Sequence, residues 1–421
     1  MTVVSNVITW GKIPVSRSEL KIETVLRCGQ TFRWKYDAHN KHWSIGMAGR
    51  IIILHQDDQF LHHGTILKHD SVPTVVPKKI TLESADIKLE HTKVKLEDSN
   101  SKFKTVNHGL TTTSALVHDY FNLQISLREL YQEWSHRDPH FSKVSGDFGG
   151  IRILRQNPWE NLISFICSTN NNIKRISQMV ENLCTHFGTY LNQHNGIRYF
   201  DFPTAQQLAF DDTTEARLRA LGFGYRAKYI YQTARMVAAH PNQESWLFDL
   251  RQMSYPDTHA ELVQFMGVGP KVADCVCLMS LDKSDIVPVD THMIQIVQRD
   301  YKFGRGIKTL NKTSYAQIQD FFKRTWGEYA GWAHSVLFTA DLSDLNNGVG
   351  SSKELSVKAR SKLGATVKVE LIAESSSLSL SPSARDLRLQ KRKESVDIQS
   401  TTVKKIKVKT GIKVEEIKVE C

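Results

Sequence analysis

Nowhere in the 421 residues does an apolar run approach the ~18 residues that a membrane span needs. The opening segment, MTVVSNVITWGK, lacks a basic stretch ahead of a long apolar one. Neither a membrane-spanning segment nor a secretory leader is expected, and the default is a soluble intracellular protein. Cysteine is scarce as well. Cys28, Cys167, Cys184, Cys275, Cys277 and Cys421 are too scattered for a disulfide scaffold, and Cys275-x-Cys277 has no second pair to complete a zinc or iron–sulfur set. Reduced thiols, mostly in the core, and no metal or cofactor are the expectation. Acidic residues are outnumbered, 44 against 55 basic, giving a net charge of +11 and making a polyanionic partner the first to test, ahead of an acidic substrate or a membrane surface. The excess is uneven. Residues 351–421 carry 16 basic and 9 acidic residues, a net +7, which leaves only +4 on the other 350.

What is present suits two or three modules around a sizeable core. Residues 7–66 alternate apolar and polar positions, with runs such as Trp43–Met47 and Ile51–Leu54 broken by glycines, which predicts an antiparallel sheet. Between 69 and 112 the apolar content thins, and an inserted, largely disordered loop is expected. From Ser114 to about Leu342 the period is helical. Asn157 suits a cap and Pro158 a first helical position, with Trp159, Leu162, Ile163 and Ile166 on one face. The polar stretch Ser168–Asn172 then reads as a turn between two packed helices. The expected organisation is an α+β chain: a β-rich domain at 8–145, a helical domain at 146–342 with a helix-hairpin-helix at 258–282, and a basic, disordered tail at 343–421.

The hairpin carries the chemistry. One helix is expected to end at Phe265 or Met266, Gly267-Val268-Gly269 turns tightly, and Pro270 starts the next. Such a turn exposes backbone N–H groups at a helix N-terminus, where they hold a phosphate without reading sequence. Lys271 falls in the first turn, where the helix dipole is expected to help lower its pKa, as an amine nucleophile requires. Asp290 is placed to cap a third helix and turn its other oxygen toward that lysine. Singly, these are a surface lysine and an ordinary cap.

Together, GVGPK and VPVDTH resemble the helix-hairpin-helix glycosylases, with Pro288-Val289-Asp290 where that superfamily has its Gly-Pro-Asp segment. GQTFRW (29–34), SFICSTNNNIKRI (164–176), LGFGYRAKY (221–229), GVGPKVADCVCLM (267–279), VPVDTHM (287–293) and YAGWAHSVLFTADL (329–342) are similar to eukaryotic 8-oxoguanine DNA glycosylases. The six motifs run in one chain order across residues 8–66 and 114–342. The resemblance implies a TBP-like N-terminal sheet domain and an enzyme that flips the damaged base out of double-stranded DNA. Lys271 would attack C1′ and form a Schiff base able to cleave the strand, with Asp290 stabilising charge on the sugar. Substrate would meet Gly29, whose carbonyl would accept from N7–H of the oxidised base, together with Pro288, His334 and the two sides of a base sandwich, Cys275 and Phe338. Asn170, Arg175 and Arg226 would read the orphaned cytosine, and Tyr225 would wedge the vacated step. Gly267, Gly269 and His292 would hold phosphates.

Two positions depart from the family pattern. Met266 stands where the hairpin usually has proline. His334 replaces a glutamine that meets the base, so affinity is expected to become pH-sensitive below about pH 7, near the ordinary imidazole value. In the tail, Lys391-Arg392-Lys393 and Lys404-Lys405-Ile406-Lys407 have the spacing of a nuclear import signal. Apolar-Lys-x-Glu, the acceptor pattern for SUMO conjugation machinery, occurs at Lys88, Lys95, Lys368, Lys413 and Lys418, and also at Lys21. Nuclear location and a monomer are the expectations. Two other readings stay open: a glycosylase for another damaged or mismatched base, and a catalytically silent DNA-binding protein.

Overall fold

The first half of the sheet is built by a two-residue turn. Ala48 and Gly49 both take positive φ (51° and 74°), the pair of left-handed residues that joins twisted strands without splaying them. In this computed structural model, which describes residues 7–68, 112–307 and 310–342, five antiparallel strands follow: β1 (Thr9–Pro14), β2 (Lys35–Asp37), β3 (His42–Met47), β4 (Arg50–Gln56) and β5 (Phe60–Leu67). Their order is β1-β5-β4-β3-β2. The alternation is used on both faces. Trp43, Ile45, Ile52 and Leu54 pack with Val117, Tyr120 and Phe121, while Ile51, Ile53 and Ile66 pack on the other face with Tyr199.

That second face corrects the expectation of unbroken helical structure after Ser114. Tyr199 belongs to a hairpin of β6 (Tyr190–His194) and β7 (Ile197–Phe200), turned by Asn195 and Gly196 at φ 49° and 77°. Asn-Gly between short β-prone runs was the available signal. The hairpin is stitched to the sheet by Ser44 Oγ to Tyr199 Oη (2.7 Å) and by Arg33, whose Nη2 donates to the Gly46 and Phe200 carbonyls (2.6 and 2.7 Å). Arg33 also pairs with Glu160 at 2.8 Å, so this motif arginine holds the fold.

The fully buried Arg152 performs a similar task. It donates to the carbonyls of Glu19, Phe121, Asn122 and Ile125 and pairs with Glu19 Oε2 at 2.9 Å, satisfying its charge within the interior.

The helix Pro158–Ser168 starts as expected, with Asn157 accepting from the Trp159 and Glu160 amides. Asn172 caps the next, Ile173–Phe187. The first hairpin helix, Tyr255–Leu262, ends earlier than expected because buried Phe265 and Val268 draw the chain inward through the bonds Phe265 N to Leu262 O (3.2 Å) and Val268 N to Phe265 O (3.1 Å). Pro270–Ser280, Thr291–Arg299, Lys312–Trp326 and Ala330–Asp341 complete the surroundings of the site. Cys28, Cys167, Cys184, Cys275 and Cys277 are free and buried.

Of the expected insert, 69–111 lies outside the described residues, and Thr112 caps the helix Thr113–Tyr120. The tail, the import signal and five of the six SUMO-pattern lysines also lie outside them. The sixth, Lys21, is tied down: its amide donates to Gly150 O at 2.9 Å, and Ile22 begins a short helix. It lacks the free extended backbone that the pattern requires.

Candidate active site

Lys271 sits in the first turn of Pro270–Ser280, whose cap, Gly269, is exposed and contributes no capping side chain. Its Nζ lies 4.0 Å from Asp290 Oδ2, with the two side chains 35% and 30% exposed. Asp290 divides its oxygens: Oδ1 accepts from the Met293 amide at 3.0 Å and caps Thr291–Arg299, while Oδ2 faces the lysine. Two side chains complete the setting. The ring of Phe165 lies 5.4 Å from Nζ, and the thiol of Cys275, one turn on, is close enough to influence its charge.

The electrostatics overturn the expected depression of the lysine. Burial pulls the ammonium down, but Cys275 in its ionised form and Asp290 pull it up, and the value ends above that of an ordinary lysine. The dipole of an 11-residue helix is worth a few tenths to 1 kcal/mol at such a position, less than a carboxylate at 4.0 Å in partly excluded water. Burial pushes Cys275 up to about 11, so it is a neutral thiol at physiological pH. The resting state is therefore an ammonium, a thiol and a facing Asp290. Closing the one-third of Lys271 that remains open to water is what would favour the free amine.

Around this pair the predicted substrate residues form one wall. The ring of His334 lies 5.9 Å from that of Phe338, which meets His292 edge-on at 5.5 Å. Gly29, at φ +85°, leaves space where a Cβ would stand 3.9 Å from Phe338 and 3.4 Å from Ile173. Pro288 is buried in the segment leading to Asp290. His292 Nε2 is 3.0 Å from Asp341 Oδ2 but out of hydrogen-bonding alignment.

His334 is 6% exposed, its Nδ1 has no partner, and burial pushes it down to about 4. This replaces the expected sensitivity below pH 7: the ring is neutral throughout pH 6–8. His334→Gln should leave the shape of the excision profile between pH 6 and 8 unchanged. The sign for stability follows from protons bound. Between 6.5 and about 4 the unfolded chain takes up a proton that the folded site refuses, so stability is present above 6.5 and is lost as pH falls toward 4. Replacement by glutamine should recover about 2–3 kcal/mol at pH 4.5 relative to pH 7.5 in urea unfolding; equal losses in both proteins would refute it.

A second group gathers where the 168–172 turn meets the loop before Arg226–Ala239. Asn170 has φ 48°. Arg226 is buried, and its Nη2 donates to the carbonyls of Thr169 and, at 3.1 Å, Asn170. Its guanidinium stacks 4.6 Å from Tyr225, which is 45% exposed. Arg175 is exposed and reaches Gly222 O at 3.4 Å. Gly267, φ +83°, has the ring of Tyr229 where its Cβ would be, at 2.3 Å, and Tyr229 packs edge-on to Tyr225 at 5.5 Å. The hairpin and the exposed tyrosine thus share a support. Ile173 joins this group to the wall at Gly29.

Sequence reasoning passed over Phe165 and Asp274. The second had a signal: it is the only carboxylate in PKVADCVCLMS, an otherwise apolar helix.

Two family models match the chain, the 8-oxoguanine DNA glycosylase N-terminal domain at residues 12–162 and the HhH-GPD superfamily base excision DNA repair protein at 163–317. An N-glycosylase/DNA lyase of Saccharomyces cerevisiae is 34% identical over 386 residues, covering 83% of this chain and 90% of the relative. One of Arabidopsis thaliana is 40% identical over 225 residues, covering 53% and 61%. The apo crystal structure of Clostridium acetobutylicum 8-oxoguanine glycosylase/lyase superposes with a TM-score of 0.59 at 26% identity, over 79% of this chain and 98% of that one. Its complex with double-stranded DNA containing cytosine opposite 8-oxoguanine gives 0.58 at 26% identity, over 82% and 99%.

Proposed function

This chain belongs to the 8-oxoguanine DNA glycosylase family and is an N-glycosylase/DNA lyase of base excision repair, and we propose that it excises 8-oxoguanine, preferentially opposite cytosine, by amine chemistry at Lys271. The observation that carries this reading is Lys271 Nζ held 4.0 Å from Asp290 Oδ2 beside a wall of Gly29, His334 and Phe338.

The flipped base stacks between Cys275 and Phe338. The Gly29 carbonyl accepts from its N7–H, which guanine lacks; leaving such a group unpaired costs ~1–3 kcal/mol, enough for roughly 10- to 100-fold discrimination. Neutral His334 offers the base edge one donor and one acceptor. Lys271, as the free amine, bonds to C1′ as the bond to the base breaks, the electron pair leaving with the base, which takes up a proton. Opening of the sugar ring leaves a Schiff base, from which loss of a C2′ proton expels the 3′ phosphate. Asp290 stabilises the positive charge on the sugar through these steps.

On the opposite strand, Asn170, Arg175 and Arg226 read the orphaned cytosine, and Tyr225 fills the gap. The amides near Gly267 and Gly269, with His292, hold the backbone. The relative solved with cytosine opposite 8-oxoguanine supports the pairing preference. The tail's basic pairs support nuclear import, and its apolar-Lys-x-Glu segments a role as acceptors for SUMO.

Borohydride trapping on duplexes carrying 8-oxoguanine opposite each of the four bases tests the reading. A covalent adduct, strongest opposite cytosine and mapping to the Lys271 peptide, is the expected result. Tight binding without an adduct would establish a silent binder, and adducts only on other lesions would establish a different glycosylase.

A further inference from the structure

We propose that Asp274 is the positioning residue that holds Asp290 against Lys271, acting through Tyr315 and Gln319. Asp274 is fully buried three residues after Lys271 on the same helix. Its Oδ1 accepts from Tyr255 Oη at 2.9 Å, and its Oδ2 from Tyr315 Oη at 2.5 Å and Gln319 Nε2 at 2.8 Å. The last two donors come from Lys312–Trp326, and each has a second bond. Tyr315 Oη accepts from the Val289 amide at 3.2 Å, and Gln319 Nε2 donates to the Val287 carbonyl at 3.1 Å.

Those two backbone groups flank Pro288, which has no N–H of its own to offer. They grip the segment immediately before Asp290 from both sides. The grip has a polarity. Tyr315 can accept from Val289 only while its hydroxyl proton points at Asp274, and Gln319 is oriented by the same carboxylate. One ionised group thus fixes the distance between the helix bearing Lys271 and the segment bearing Asp290.

The network is sensitive to protonation because, among the described residues, no cation is paired with the Asp274 carboxylate at neutral pH. The facing groups are Tyr255, Tyr315, Gln319, His259 Nε2 at 3.8 Å, and the thiols of Cys275 and Cys277. Burial pushes His259 down and both thiols up, so all are neutral at pH 7. Burial raises Asp274 to about 6. A raised carboxyl means that the folded chain binds the extra proton between the ordinary value and 6, so ionised Asp274 costs stability at neutral pH. A purely stabilising role is poorly served by that arrangement, whereas a carboxylate that must accept from three donors requires the charge.

The inference rests on the reading of Lys271 and Asp290 given above. The test is single-turnover excision from 8-oxoguanine duplex between pH 5 and 8, with Tyr315→Phe and Asp274→Asn. Tyr315→Phe should lower the rate at pH 7.5 by roughly 10- to 100-fold, as a small misplacement of reacting groups does, with duplex affinity unchanged. It should also weaken the extra fall in rate near pH 6 that Asp274 adds to the steady acid limb set by Lys271 protonation; Asp274→Asn should do the same. Parental rates with a parental acid limb in Tyr315→Phe overturn the proposal, as does lower thermal stability without a change in rate. Lys271→Gln in the same assay separates the two claims, since its loss would reach about three orders of magnitude or more and be independent of pH.

Discussion

Lys271→Gln should fold, bind damaged duplex and form no borohydride-trapped adduct, with excision reduced by about three orders of magnitude or more, as when a covalent nucleophile is removed. Glutamine keeps most of the stem, which lies against Phe165, and can still meet the Cys275 thiol. It removes a cation from the first turn of a helix, where the dipole disfavours one, and deletes a partly exposed ion pair at 4.0 Å. The two effects oppose each other, so stability should change by less than about 1 kcal/mol. What disappears is the amine. A folded variant retaining excision within tenfold of the parent would show that another group forms the bond to C1′.

Asp290 permits a sharper separation, because its two oxygens do different work. Asp290→Asn retains an oxygen to accept from the Met293 amide and should keep the cap, since asparagine and aspartate are about equal there. Asp290→Ala loses the cap and about 1 kcal/mol of stability. Both lose the charge facing Nζ, and both should lose about 100- to 1000-fold in excision rate. Equal losses of rate with unequal losses of stability are the expected pattern, read by single-turnover kinetics beside urea unfolding. Near-parental excision in the asparagine variant would reduce Asp290 to a cap. The Lys271 pKa should fall in both variants, since this carboxylate is one of the two groups that raise it.

Several site features were legible because their causes are local. Asn157 and Asp290 cap helices, each accepting from an amide two or three residues ahead, so a side-chain oxygen before an apolar-periodic run sufficed to find them. Gly267 is at φ +83° because the turn is tight, and its neighbours in sequence say so. The Asn195-Gly196 turn is equally local, but a long helical pattern on either side outweighs strands of five and four residues. The end of the first hairpin helix was misplaced because Phe265 continues the apolar spacing while serving to bury the turn.

By itself the sequence determined the sheet followed by helices, the hairpin with its lysine and aspartate, and the six motifs that mark the family. Each depends on φ preferences, caps and periodicity acting within a few residues. The tertiary structure alone decided how those groups are charged and held. Lys271 lies above its ordinary pKa and His334 far below, Gly29 meets Phe338, and Asp274 grips both sides of Pro288 through two side chains of a distant helix. A protonation state is a sum of desolvation and contacts from segments far apart in the chain, and no local stretch of sequence contains that sum.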